Sequence, residues 1–265
     1  MYKMIALDID DTLLNDDLQI TPETHEALKQ AIEQGIIVTL ATGRMFASAK
    51  QVAQQLALDV PLITYQGAYV RTLRDETLFY ERTVPSDAAQ KLFEYTEKHH
   101  LHLQLYWNDT LYVKEDNEKV RHYVGVSGVS YVVEPDFQSI IDKPLIKMLI
   151  FEEAELLDRI TPELRELLGD QVHITKSKPV YLEFMHAEAT KGHALAALAQ
   201  HYNCSMEQVI GVGDAWNDRE LISMSGLGVA MGNAIDELKE IADFVTKTNN
   251  EDGIKHVLDT YVFNR

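Results

Sequence analysis

Short apolar runs alternate with stretches of helical periodicity at both ends of this 265-residue chain, and that rhythm constrains the fold more than any other feature. Tyr2 to Leu7, Ile36 to Leu40 and Leu62 to Thr64 read as buried strands. Between the first two, Thr21-Pro22-Glu23 has the signature of a helix start: a hydroxyl cap, a proline at the first position and an acid at the positive end of the dipole. Ala27, Leu28, Ala31 and Ile32 then recur at helical spacing until Gly35, and a second helix is expected over about Met45 to Leu58. The same order returns late: helix Lys191 to Tyr202, strand Val209 to Val212, helix Asp218 to Met224, strand Gly228 to Ala230, helix Ala234 to Ile241, strand Phe244-Val245 and a short helix after Asn249. Repeated strand–helix–strand units require right-handed crossovers and a parallel sheet.

From about Thr83 to Ala187 the pattern changes. Strands expected at Leu103 to Tyr106, Leu111 to Val113, Tyr131 to Val133, Ile146 to Phe151 and Val180 to Phe184 mix with helices near Ser86–His100, Asp116–Val126 and Glu155–Leu168. The expected organisation is α/β, with a Rossmannoid parallel-sheet core from residues 1–82 and 188–265 and an inserted α/β cap domain over 83–187. A chain of this length buries enough surface to need no disulfide, and its single cysteine, Cys204, could not form one internally. The net charge of −18 opposes binding to phosphate backbones and anionic lipid, so neither nucleic acid nor membrane is expected as a partner. It leaves room for a small phosphorylated ligand held by a metal or a few local cations. No apolar run approaches a membrane helix, and the acids at positions 8 and 10 come too early for a secretory signal, which places the expected chain in the cytoplasm.

Carboxylates and small polar groups gather where the apolar strands end. Asp8, Asp10 and Asp11 follow the first strand, although crowding like charges is costly. In an open α/β fold, ligand sites lie at that carboxyl edge. Thr42-Gly43-Arg44 follows the second strand and combines a hydroxyl, close backbone approach and a helix start, a good anion site. Gly213-Asp214-Ala215-Trp216-Asn217-Asp218 follows the strand at 209–212. Trp216 stands where a dinucleotide loop needs its third glycine, and no Walker-type lysine loop occurs anywhere. Asp8, Asp10 and Asp214 could instead converge on one hard cation. Lys191 opens the helix that returns from the insertion and could face the same cleft.

These segments together resemble the haloacid dehalogenase (HAD) superfamily, most closely its Cof-type branch, which carries a large cap after the third core strand. The residues that carry the resemblance are Asp8-Ile9-Asp10-Asp11-Thr12, Thr42-Gly43-Arg44, Lys191 and Gly213-Asp214-x-x-Asn217-Asp218, with Gly228 to Ala234 as a further match. The resemblance implies a magnesium-dependent phosphatase acting on small phosphomonoesters such as sugar phosphates or flavin mononucleotide. It implies that Asp8 attacks phosphorus to form an aspartyl-phosphate, and that Asp10 protonates the leaving oxygen and then activates water. It places Mg²⁺ on the Asp8 carboxylate, the Asp10 backbone carbonyl and Asp214, with Asp218 behind them. It gives the phosphate to Asp8, Ile9, Thr42, Gly43, Lys191 and Asn217. Many relatives carry glycine at the position of Asp11. A phosphomutase and a non-enzymatic phosphometabolite binder remain the rival readings, and monomer and homodimer are both open. His99, His100 and His102 read as residues of a helix end, and Tyr106, Trp107 and Tyr112 as packing aromatics.

Overall fold

The computed structural model describes residues 1–55 and 59–263, so the last turn expected of the helix at 45–58 lies outside the described residues. The chain forms two compact units, Met1–Tyr80 with Thr190–Arg265, and Glu81–Ala189.

The first unit begins with strands β1 (Met4–Leu7), β2 (Ile37–Ala41) and β3 (Pro61–Thr64), joined by helices α1 (Pro22–Glu33) and α2 (Phe46–Gln55). Helix α1 starts as its sequence dictates, with the Thr21 hydroxyl accepting from the Thr24 N–H. Strands β4 (Tyr69–Thr72) and β5 (Leu78–Glu81), which the apolar pattern does not reveal, extend the sheet at one edge, β4 running antiparallel to β3.

The second unit contains, in chain order, α3 (Ser86–His99), β6 (Leu103–Trp107), β7 (Thr110–Val113), α4 (Glu118–Ser127), β8 (Tyr131–Val133), α5 (Gln138–Ile141), β9 (Lys147–Phe151), α6 (Ala154–Leu168), β10 (Val172–Lys178) and β11 (Tyr181–His186). Its six strands are ordered β10-β11-β9-β6-β7-β8. Leu103, Leu105, Met148, Ile150, Leu182 and Phe184 share a buried cluster with apolar residues of α3, α5 and α6. Tyr106 is fully buried, and Trp107 and Tyr112 pack against that cluster. His99 stacks on Tyr95, while His102 is within hydrogen-bond reach of the Asn117 amide.

The chain then returns to the first unit through α7 (Lys191–His201), β12 (Val209–Gly213), α8 (Arg219–Ser223), β13 (Leu227–Ala230), α9 (Asp236–Ile241), β14 (Phe244–Val245) and α10 (Gly253–Tyr261). The eight-stranded sheet is ordered β14-β13-β12-β1-β2-β3-β4-β5. Its centre is parallel and covered on both faces, which is why β1 reads as an unbroken apolar run: Met4, Ile5, Ala6 and Leu7 are each 0% exposed. Register decides where the site falls. Leu7 pairs with Leu40 on one side and Val212 on the other, and Ala41 pairs with Ile63. The residues that follow, Asp8, Thr42 and Asp214, therefore emerge at one carboxyl edge.

Candidate active site

Strand β1 hands the chain directly to a tight turn, Ile9–Leu13, closed by the Leu14 N–H donating to the Ile9 carbonyl. Ile9 itself is buried beneath it. Asp11 takes a left-handed conformation, φ 57° and ψ 6°. Glycine meets that demand freely, and aspartate is among the few side chains that tolerate it, so the turn keeps its form without glycine. The Asn233 amide donates to the Asp11 carbonyl and ties the run after β13 to the turn.

Asp8 is 6% exposed and accepts a 2.6 Å hydrogen bond from the Lys191 ammonium, which is itself 0% exposed. The same ammonium donates at 2.6 Å to Asp218, also fully buried. Lys191 is thus no surface residue: α7 begins with it, Thr190 caps the helix, and its side chain bridges two acids from opposite ends of the chain. Burial lowers a lysine's proton affinity, but two carboxylates in contact outweigh it and hold the ammonium above its usual range. Burial pushes the Asp8 carboxyl well above the usual carboxylate range; Lys191 pulls it down, while Asp218 and Asp214 push it up. Asp214 is raised to about 6, first by burial and then by Asp218, with a 2.7 Å hydrogen bond from the Thr12 hydroxyl opposing the shift.

Oxygens of Asp8, Asp214 and Asp218 lie within 4.8 Å of one another, an all-oxygen donor set suited to a hard divalent cation. The three differ in what they have left to offer. One Asp218 oxygen accepts from Lys191, and the other accepts the backbone N–H groups of Asp214 and Ala215. Among the described residues no hydrogen bond uses the second oxygen of Asp8 or of Asp214, so these two carboxylates fit direct ligation and Asp218 fits a supporting place. Asp10 stands apart from the trio. Its half-exposed carboxylate is gripped by the Arg44 guanidinium through a 2.9 Å bond from Nε and a shorter one from a terminal nitrogen.

Thr42 is 1% exposed, and its hydroxyl accepts the Arg44 N–H. Gly43 follows it at the start of the α2 crossover. Asn217 is exposed, in the short turn before α8, and its amide donates at 3.1 Å to Gln66. Every residue singled out from the sequence for the site therefore belongs to the first unit. Gln66 was not singled out, yet it sits where β3 ends, the same kind of position that marked Asp8, Thr42 and Asp214.

Comparison with known proteins identifies the family and the fold. A family model described as haloacid dehalogenase-like hydrolase matches residues 5–258. The crystal structure of TM0651 from Thermotoga maritima is 35% identical, with a TM-score of 0.89 over 98% of this chain and 97% of its own. A haloacid dehalogenase-like hydrolase from Bacteroides thetaiotaomicron is 29% identical, with a TM-score of 0.88 over 98% and 99% of the two chains. YcsE of Bacillus subtilis, a 5-amino-6-(5-phospho-D-ribitylamino)uracil phosphatase, is 31% identical over 98% of this chain and 96% of its own.

Proposed function

The chain belongs to the haloacid dehalogenase-like hydrolases, and on that premise we propose that it is a magnesium-dependent phosphatase of small phosphomonoesters that works through an aspartyl-phosphate on Asp8. One observation carries the reading. A buried ammonium holds the Asp8 carboxylate at the carboxyl edge of the sheet, with oxygens of Asp214 and Asp218 within 4.8 Å of its own. A structural acid placed there to cap a helix would need neither neighbour.

Asp8 would attack phosphorus with one carboxylate oxygen and leave the other to the cation, and the bond from phosphorus to the leaving oxygen would break. Asp10 would donate a proton to that oxygen and take one from the water that later splits the acyl phosphate. Arg44 holds both Asp10 oxygens in this structure, so for Asp10 to carry a proton the guanidinium would release at least one of them. Lys191, the Thr42 hydroxyl, the Gly43 and Ile9 N–H groups and Asn217 would hold the phosphate oxygens. A bound Mg²⁺ on Asp8, the Asp10 carbonyl and Asp214 would screen the charge of the phosphate dianion against the anionic nucleophile.

The inserted unit, Glu81–Ala189, is the proposed cap, supplying the contacts that select the leaving group. A sugar or polyol phosphate fits the reading, as does flavin mononucleotide; the ribitylamino phosphate named for YcsE is of that kind. The test is free-phosphate release across some tens of phosphorylated metabolites. Turnover should disappear in Asp8→Asn with the far-UV spectrum unchanged, and phosphate release by that variant would take the nucleophile's role from Asp8. Interconversion of hexose phosphate isomers without net release would identify a mutase instead.

A further inference from the structure

The turn after β3 takes three successive residues into the left-handed region, with φ of 51° at Tyr65, 57° at Gln66 and 101° at Gly67. Tyrosine and glutamine rarely adopt that conformation, and it persists only where the surroundings over-determine it. Here they do. The Tyr65 N–H donates to the Arg44 carbonyl at 2.9 Å and the Gln66 N–H to the Thr42 carbonyl at 3.0 Å. Gly67 lies against the start of α7 so closely that a Cβ would meet the Thr190 carbonyl oxygen at 2.1 Å.

The strained backbone delivers one side chain. Gln66 is 9% exposed, and its Oε1 accepts the Asn217 Nδ2 hydrogen bond. Its carboxamide also lies over Gly43, with Nε2 2.4 Å from where a Cβ on that glycine would stand. A single side chain thus touches two groups proposed to hold phosphate, and its backbone is pinned to a third, Thr42.

We propose that Gln66 is a positioning residue of the phosphate site. Asn217 is exposed, and an unrestrained amide can present either its oxygen or its nitrogen to an anion. By accepting one Nδ2 hydrogen, the Gln66 carbonyl turns the nitrogen inward and leaves the second N–H to donate to phosphate. Preorganisation of this kind raises affinity by removing an ordering cost at the moment of binding. The inference rests on the phosphatase reading only in taking Asn217 as a phosphate ligand.

Affinity for inorganic phosphate in the presence of Mg²⁺, measured by calorimetry on the full chain, tests it. The variants are Gln66→Ala, Gln66→Gly, Asn217→Ala and each Gln66 change combined with Asn217→Ala. Glycine relaxes the backbone at position 66 while removing the side chain, so a folded comparison is available even where alanine strains the turn. Both Gln66 changes should weaken phosphate binding by roughly ten-fold, the scale of one hydrogen bond to a charged group. Either change added to Asn217→Ala should alter affinity by less than about two-fold, because the partner is already gone. In turnover, KM should rise with the dissociation constant for phosphate, whereas a merely structural role would lower kcat at unchanged KM. Unchanged phosphate affinity in both Gln66 variants overturns the proposal, as do losses that multiply with Asn217→Ala. A wild-type chain that binds phosphate yet hydrolyses no ester sinks the phosphatase reading and leaves the cycle to judge Gln66. A wild-type chain that does not bind phosphate removes both.

Discussion

Lys191 shows how much one residue's meaning depends on its surroundings. Its ammonium is wholly buried and touches two carboxylates at 2.6 Å each. Removing one partner of a buried ion pair strands the other charge, at a cost of about 3–5 kcal/mol. Lys191→Met should lower the unfolding free energy in urea by about that amount, and Asp218→Asn in the same chain should restore part of the loss. A loss under about 1 kcal/mol would mean that the two acids find other compensation. Nothing local distinguishes this lysine from a solvated one; its place at the return from the insertion was the clue. Asp8 and Asp214 were legible because acids directly after apolar strands are costly and therefore specific. Gln66 was not, because a neutral amide at a strand end carries no such cost.

The central strands of the parallel sheet were the most legible elements. Strands β1, β2, β3 and β12 are covered on both faces, and their apolar runs mark them within a residue or two. Strands β4, β5 and β10 were missed. Leu78 is exposed, and β10 is rich in polar residues, as expected of positions near a sheet edge. The expected helix at Asp218–Met224 is α8, and it is preceded by a short turn at Trp216–Asp218 whose last residue takes the ammonium and two backbone N–H groups. The junction between the turn after β3 and the start of α7 depends on Gly67. Gly67→Ala combines a φ of 101° with a 2.1 Å approach to the Thr190 carbonyl. The backbone conformation alone should cost about 1–3 kcal/mol, with further loss from displacing Thr190, measurable by chemical denaturation. Stability equal to the parent would show that the two segments can separate freely.

At the scale of the whole molecule, the carboxylates link stability, pH and cation binding. Asp214 is raised to about 6 in the folded chain, and Asp8 is raised as well. The folded state therefore retains protons that the unfolded chain has released, and stability from these groups falls as pH rises from about 4 towards 6. A divalent cation needs the ionised carboxylates, so its stabilising effect should grow across the same window. Saturating Mg²⁺ should raise the melting temperature more at pH 8 than at pH 5, and the gain should largely vanish in Asp214→Asn. An equal gain in that variant would assign the effect to the acidic surface, whose net charge is −18. Among the described residues no helix is long and apolar enough to cross a membrane. The sequence alone determined that apolar strands alternate with helices, that a second α/β unit interrupts them and that acids follow the strand ends, since burial and strand-end chemistry are written locally. Only tertiary structure decided which oxygens remain available, that Arg44 takes Asp10 and that Gln66 meets Asn217. Those facts depend on register and on approach between segments up to some two hundred residues apart, and no local pattern encodes a distance between them.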